Sequence, residues 1–314
     1  MKESYYRPSG KIAGTYWLWL LLFLVVSSPI LAVVYIYGVH YIPFIYLTIF
    51  LAVGCGALLG LIVGFAAKKG RARNPGTVTA SALVAALILK YVQWCVYVPL
   101  ILDEVYELYE SWYGFTLSFG EQLIEALYIL PDPLYLLDWA LTINEYGVWG
   151  FSSNGGAVGD SVTGVMLFII WLGEFAIIAL MAVLVARRQP KYPFSEEANA
   201  WYISQKKTIE IDVAADFVGL KTLLESGNIE KLLELVAAGQ SDEANFMRLR
   251  FFTSPQPSHA EAVYMNIEHC SVDKKKRAKS QVLAKYLTLS PANAAAITAA
   301  GESVIGDQAS ELSQ

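Results

Sequence analysis

Two charged residues stand where the chain is otherwise apolar. Lys90 lies within the apolar segment Thr77–Leu102, and Glu174 within the apolar segment Val162–Ala186. If the first segment rises through a bilayer and the second descends, each residue lies 12 positions from the same end of its segment. At about 1.5 Å per residue both sit about 18 Å below that end, close to the hydrocarbon midplane. A lone charge at that depth costs about 2.5–3.5 kcal/mol on insertion scales. Opposite signs at matched depth therefore predict a Lys90–Glu174 pair between the two helices. Such a pair can act as a proton- or ion-coupled gate, as a static ion pair that fixes helix register, or as a protonated glutamic acid held by hydrogen bonds. The static forms carry the greater weight.

Other candidate groups point to packing or to surfaces. Gly56, Gly60 and Gly64 recur every fourth residue, which strips side chains from one helix face and lets a neighbour approach. Packing within one bundle is expected, with an oligomer seam or pore face as the alternative. Ser27-Ser28-Pro29 breaks an apolar run with a helix-kinking proline. Lys274, Lys275, Lys276 and Arg277 form a basic cluster suited to anionic lipid headgroups or to a solvated turn. Asp103, Glu104, Glu107 and Glu110 fall nearly on one helical face, but no calcium-loop spacing accompanies them. The cysteines Cys55, Cys95 and Cys270 are far apart, and the only histidines are His40, His259 and His269. No metal site, cofactor or catalytic residue is expected. No phosphate-binding loop, nucleophile elbow or H-E-x-x-H motif occurs, so the chain is not expected to be an enzyme.

The elements that must carry these residues follow from hydropathy and charge. Apolar residues make up 55% of the 314, and no Asp, Glu, Lys or Arg occurs from Ile12 to Ala67. A crossing needs about 20 apolar residues. The sequence predicts four transmembrane helices at Thr15–Tyr37, Phe44–Ala67, Thr77–Leu102 and Val162–Ala186. Lys68, Lys69, Arg71 and Arg73 lie between the second and third, and Arg187, Arg188 and Lys191 follow the fourth. From Tyr91 to Ala186 there is no Lys or Arg, whereas ten acids fall between Asp103 and Asp160. Basic flanks stay cytoplasmic, so both termini are expected inside and the acidic segment outside. That segment, 103–161, is rich in Tyr and Trp. It is expected to form interfacial helices on the outer leaflet over Asp103–Trp112, Gly120–Leu130 and Leu134–Glu145, the last capped by Asp132 and opened by Pro133.

The chain thus divides into a cytoplasmic N-terminus (1–14), helices one to three (15–102), the acidic segment (103–161), helix four (162–186), a linker (187–212), a small α+β cytoplasmic domain (213–300) and a disordered tail (301–314). In the domain, Val213–Glu225 and Asn228–Ala238 are expected as helices. Phe246–Phe252, Ala260–Cys270 and Gln281–Leu289 are expected as three antiparallel strands, and Pro291–Ala300 as a last helix. The fold class is an all-α membrane bundle with a small α+β domain.

Asn144-Glu145-Tyr146-Gly147-Val148-Trp149, Trp171-Leu172-Gly173-Glu174, and Lys191-Tyr192-Pro193-Phe194-Ser195-Glu196-Glu197 with Trp201-Tyr202 resemble a group of uncharacterised bacterial multi-pass inner-membrane proteins. Similar chains carry a CxxC-type pair after the last helix; the matching positions here are Ser195 and Ala198, which lack the thiols a metal role there would use. The resemblance implies a bacterial cytoplasmic membrane and no particular activity. A scaffold or regulator is expected, with the lipid bilayer and a cytoplasmic protein as partners. The alternative is a small oligomeric transporter or ion-coupled channel built on Lys90 and Glu174, which would make the chain a homo-oligomer. Nucleic acid is not favoured, because the chain from Arg187 onward carries 15 basic against 16 acidic residues.

Overall fold

A computed structural model of the chain describes residues 4–42, 45–109, 117–147, 162–240, 242, 244–256, 261–272 and 278–311. They form two compact units. One is Gly10–Pro190; the other joins Met1–Ser9 to Lys191–Gln314.

The first unit is helical. Its long members are α1 (Thr15–Tyr41), α2 (Ile45–Lys69), α3 (Pro75–Tyr109) and α6 (Gly164–Ala186), with two short helices, α4 (Phe119–Ile129) and α5 (Pro133–Tyr146), between α3 and α6. Among the described residues, four helices are long and apolar enough to cross a membrane. Around the bundle, α1 packs on α2 and α3, and α6 packs on α2 and α3. The buried seam is built from small and aliphatic residues, among them Leu59, Val63, Ala82, Ala86, Ile178 and Ala182. Gly70, in the turn after α2, is required by contact. A Cβ there would stand 2.8 Å from the Tyr16 backbone nitrogen, closer than any side chain can sit.

The short helices are set by their caps. Ser118 accepts the Glu121 N–H and Glu121 accepts the Ser118 N–H, a complete capping box that starts α4. Asp132 accepts the Tyr135 N–H at 3.0 Å, and Pro133 opens α5. Both pack on the bundle end, where Ala126, Ile129 and Leu136 join its core. The expected separate helix at Asp103–Trp112 is instead a continuation of α3 as far as Tyr109; acids at helical spacing do not break a helix already under way.

The second unit is α+β. Its sheet is an antiparallel meander, β3 (Ile203–Asp212), β4 (Asn245–Thr253), β5 (Val263–Val272) and β6 (Ala278–Leu289), in sequential order. A short hairpin of β1 (Phe194–Ser195) and β2 (Ala200–Trp201) precedes it. One sheet face presents Met247, Leu249, Met265 and Ile267 to α7 (Phe217–Glu225), α8 (Glu230–Ala238) and α9 (Pro291–Glu311), whose Leu220, Leu232 and Ile297 complete the core. The other face carries a charge ladder, with Arg248 2.8 Å from Glu210 and Arg250 3.4 Å from Glu268, and an aromatic group around Tyr202, Phe252 and Tyr286.

Three features differ from expectation. The sheet has a fourth strand, β3, inside the segment taken as a linker. Helix α9 runs to Glu311, beyond Ala300. The N-terminal residues also belong to this unit. Tyr5 bridges to Leu287, the Tyr6 N–H donates to the Tyr286 carbonyl at 3.0 Å, and the Thr288 N–H donates to the Ser4 carbonyl at 2.9 Å. The Tyr5 hydroxyl donates to Glu225 at 2.7 Å, and the Tyr6 ring stacks edge-on against Tyr264. The arm therefore extends the sheet beyond β6.

Candidate functional site

The Lys90 ammonium lies 2.8 Å from a Glu174 carboxylate oxygen, and each side chain is 18% exposed. The pair joins α3 to α6. One turn further along α3 the Trp94 ring meets Trp171, one turn back on α6, at 4.9 Å and edge-to-face. The two contacts repeat the same antiparallel register, so the ion pair is fitted to a helix pairing that the aromatic rings also hold.

The other two long helices reach the same place. Tyr35 of α1, 2% exposed, stands beside Glu174, although its hydroxyl makes no hydrogen bond of ordinary geometry. Cys55 of α2 is buried and lies within electrostatic reach of both Glu174 and Lys90. Each long helix thus contributes one ionisable side chain, namely Tyr35, Cys55, Lys90 and Glu174. The ammonium and carboxylate cancel, leaving the group without net charge. Chemically it can hold four helices in one register and can pass protons among a carboxylate, a phenol, a thiol and an ammonium.

The glycine row is directed at α6. A Cβ on Gly56 would stand 2.9 Å from the Ile178 Cα, and one on Gly60 would stand 2.6 Å from the Ala182 carbonyl oxygen. Gly64 has more room, 3.7 Å to the Ala186 Cα. Gly56, Gly60 and Gly64 thus pair in steps of four with Ile178, Ala182 and Ala186. This close approach places Cys55, next to Gly56, in range of Glu174, one turn from Ile178.

The remaining predicted groups lie apart. Lys274, Lys275, Lys276 and Arg277 fall outside the described residues, as do the side chains of Asp103, Glu104, Glu107 and Glu110. Cys55, Cys95 and Cys270 are free thiols, all buried. Ser195 Oγ accepts the Ala198 N–H at 2.9 Å, so a hydroxyl closes the hairpin turn. Among the described residues no cluster of three metal-ligating side chains occurs. The second unit also has a cleft of about 820 Å³, lined by the N-terminal arm, Glu197, Tyr202, Glu261 and Tyr264. Burial, and next the Tyr264 hydroxyl, push the Tyr202 hydroxyl well above the ordinary tyrosine value.

Sequence reasoning found Lys90 and Glu174 because charge is conspicuous in an apolar run. It missed Tyr35 and Cys55, since nearly uniform apolar helices give no face from which to judge which residues point inward. No protein-family model, curated protein or solved structure matches this chain.

Proposed function

We propose that this is an integral membrane protein of the bacterial cytoplasmic membrane, with both termini inside, acting as a scaffold or regulator whose α+β unit recognises a cytoplasmic partner. One observation carries the reading. The N-terminal arm, before the first long helix, pairs with β6, which follows the last. Segments on either side of the bundle can share a sheet only if an even number of crossings separates them. The four long apolar helices meet that condition, and so does the charge pattern, since basic flanks stay cytoplasmic and Lys68, Lys69, Arg71, Arg73, Arg187, Arg188 and Lys191 then share one side of the membrane. An anchored unit with both sheet faces furnished and an open cleft is suited to recognition.

A second reading, an ion-coupled oligomer, is favoured by the convergence of four ionisable side chains at Lys90 and Glu174. The two readings separate in a null strain. Complementation by the Lys90→Met/Glu174→Gln double variant but not by a chain lacking 203–311 supports the scaffold. The reverse pattern, with both chains present at normal membrane levels, refutes it.

A further inference from the structure

Several polar groups are buried in the bundle without protein partners. The Ser27 and Ser28 hydroxyls of α1 and both amide atoms of Gln93 on α3 lack hydrogen bonds, and Ser28 and Gln93 are only 2% and 1% exposed. Their heights can be compared through a lower contact. Tyr16 of α1 stands beside Ser81 of α3, and further along both helices Tyr35 and Lys90 share Glu174, so the packed α1 and α3 run in the same direction. Twelve residues further along each helix lie Ser28 and Gln93, so both sit about 18 Å above that contact. Lys90 is one turn below Gln93. Tyr35 is two turns above Ser28, and its long side chain leans back toward the N-terminus of its helix, down to Glu174. Hydroxyls, an amide and an ion pair therefore lie at one level of α1, α3 and α6.

In a bilayer an unsatisfied polar group costs several kcal/mol, and buried water makes roughly three hydrogen bonds to such groups. A cation is a poor occupant, because the Lys90 ammonium faces the site. A neutral ligand that both donates and accepts fits an amide and hydroxyls together. We propose, resting on the bilayer-spanning reading above, that the bundle centre is a hydrated site in which bound waters link Ser28, Gln93 and Tyr35 to the Lys90–Glu174 pair. The waters make the pair proton-exchanging. A proton relayed to Glu174 neutralises the carboxylate and leaves the Lys90 ammonium facing the waters, with Tyr35 from α1 and Cys55 from α2 as the other groups around it.

The test is water-edited solid-state NMR on the full chain in phosphatidylethanolamine–phosphatidylglycerol vesicles, with the Glu174 signal assigned by its loss in Glu174→Gln. Water polarisation should reach the Glu174 carboxyl within about threefold of the rate to exposed Glu302, and Ser28→Ala/Gln93→Leu should slow it at least about fivefold. Transfer to wild-type Glu174 no faster than to buried Leu89 overturns the proposal, as does a double variant that folds and transfers at the wild-type rate. An alkaline wash of the same vesicles separates the two claims. A retained chain with a dry Glu174 sinks the hydrated site alone, whereas a released chain sinks the membrane reading and the site with it.

Discussion

Alanine substitution along the glycine row should have unequal effects. At Gly60 an added methyl would stand 2.6 Å from the Ala182 carbonyl oxygen and 2.8 Å from the Val185 Cβ; at Gly56 it would stand 2.9 Å from the Ile178 Cα and the Met181 Cβ. Backbone and branch atoms cannot swing away, so α6 has to retreat from α2 by roughly half an ångström. Overpacking of this kind costs about 1–3 kcal/mol. Alanine returns about 1 kcal/mol of helix propensity, leaving a net loss of up to about 2 kcal/mol. At Gly64 the methyl would meet the Ala186 Cα at 3.7 Å, an ordinary contact, so only the propensity gain of up to about 1 kcal/mol remains. Equilibrium unfolding in mixed micelles, followed by tryptophan fluorescence, should rank Gly64→Ala as most stable and Gly56→Ala and Gly60→Ala below wild type. Equal losses at all three positions, or none at Gly56 and Gly60, would show that α2 and α6 do not meet along this row.

Three further expectations can be checked separately. Lys90→Met alone should destabilise the bundle by about 3 kcal/mol, because it strands a carboxylate, and adding Glu174→Gln should recover most of that loss; a double variant no better than the single would contradict the pairing. The Ser118 hydroxyl and backbone N–H hold the Glu121 carboxyl below the usual carboxylate range, so the cap's contribution is present above that range and lost as pH falls through the lowered value. An NMR titration should find Glu121 low in wild type and raised part of the way toward normal in Ser118→Ala, which keeps the backbone N–H. Burial, and then the hydrogen bond to Glu225, raise the Tyr5 hydroxyl above the ordinary value of 10.0. The stability it lends is full below that pH and lost as pH rises through the raised value; Tyr5→Phe should remove this alkaline component, and an unchanged alkaline profile would argue against the docked arm.

What was legible in the sequence was governed by contrast. Long apolar runs marked the four long helices, and Pro131-Asp132-Pro133 marked the start of α5. The alternation of Val263, Met265 and Ile267 marked β5. Strand β3 was obscured because Ser204 to Thr208 is polar on both faces, and only Ile209 and Ile211 reach the core. The Ser118-x-x-Glu121 capping box could have been recognised, since serine followed three positions later by glutamate before an apolar run is a start signal in its own right. The N-terminal arm offered no such clue. Its pairing covers only Ser4 to Tyr6 and depends on a partner strand nearly 300 residues away in the chain. For the site, the two charges were visible and their neutral neighbours were not, because which face of α1 or α2 turns inward is decided by packing.

The central claim is four crossings with both ends of the chain on one face, and cysteine labelling in intact cells addresses it most directly. In a background with Cys55, Cys95 and Cys270 replaced by alanine, single cysteines go to the exposed positions Ser9, Glu145 and Glu197. An impermeant maleimide should label position 145 in whole cells and positions 9 and 197 only after the membrane is opened. Labelling of 9 and 197 from opposite sides, or of 145 from the same side as both, would contradict it.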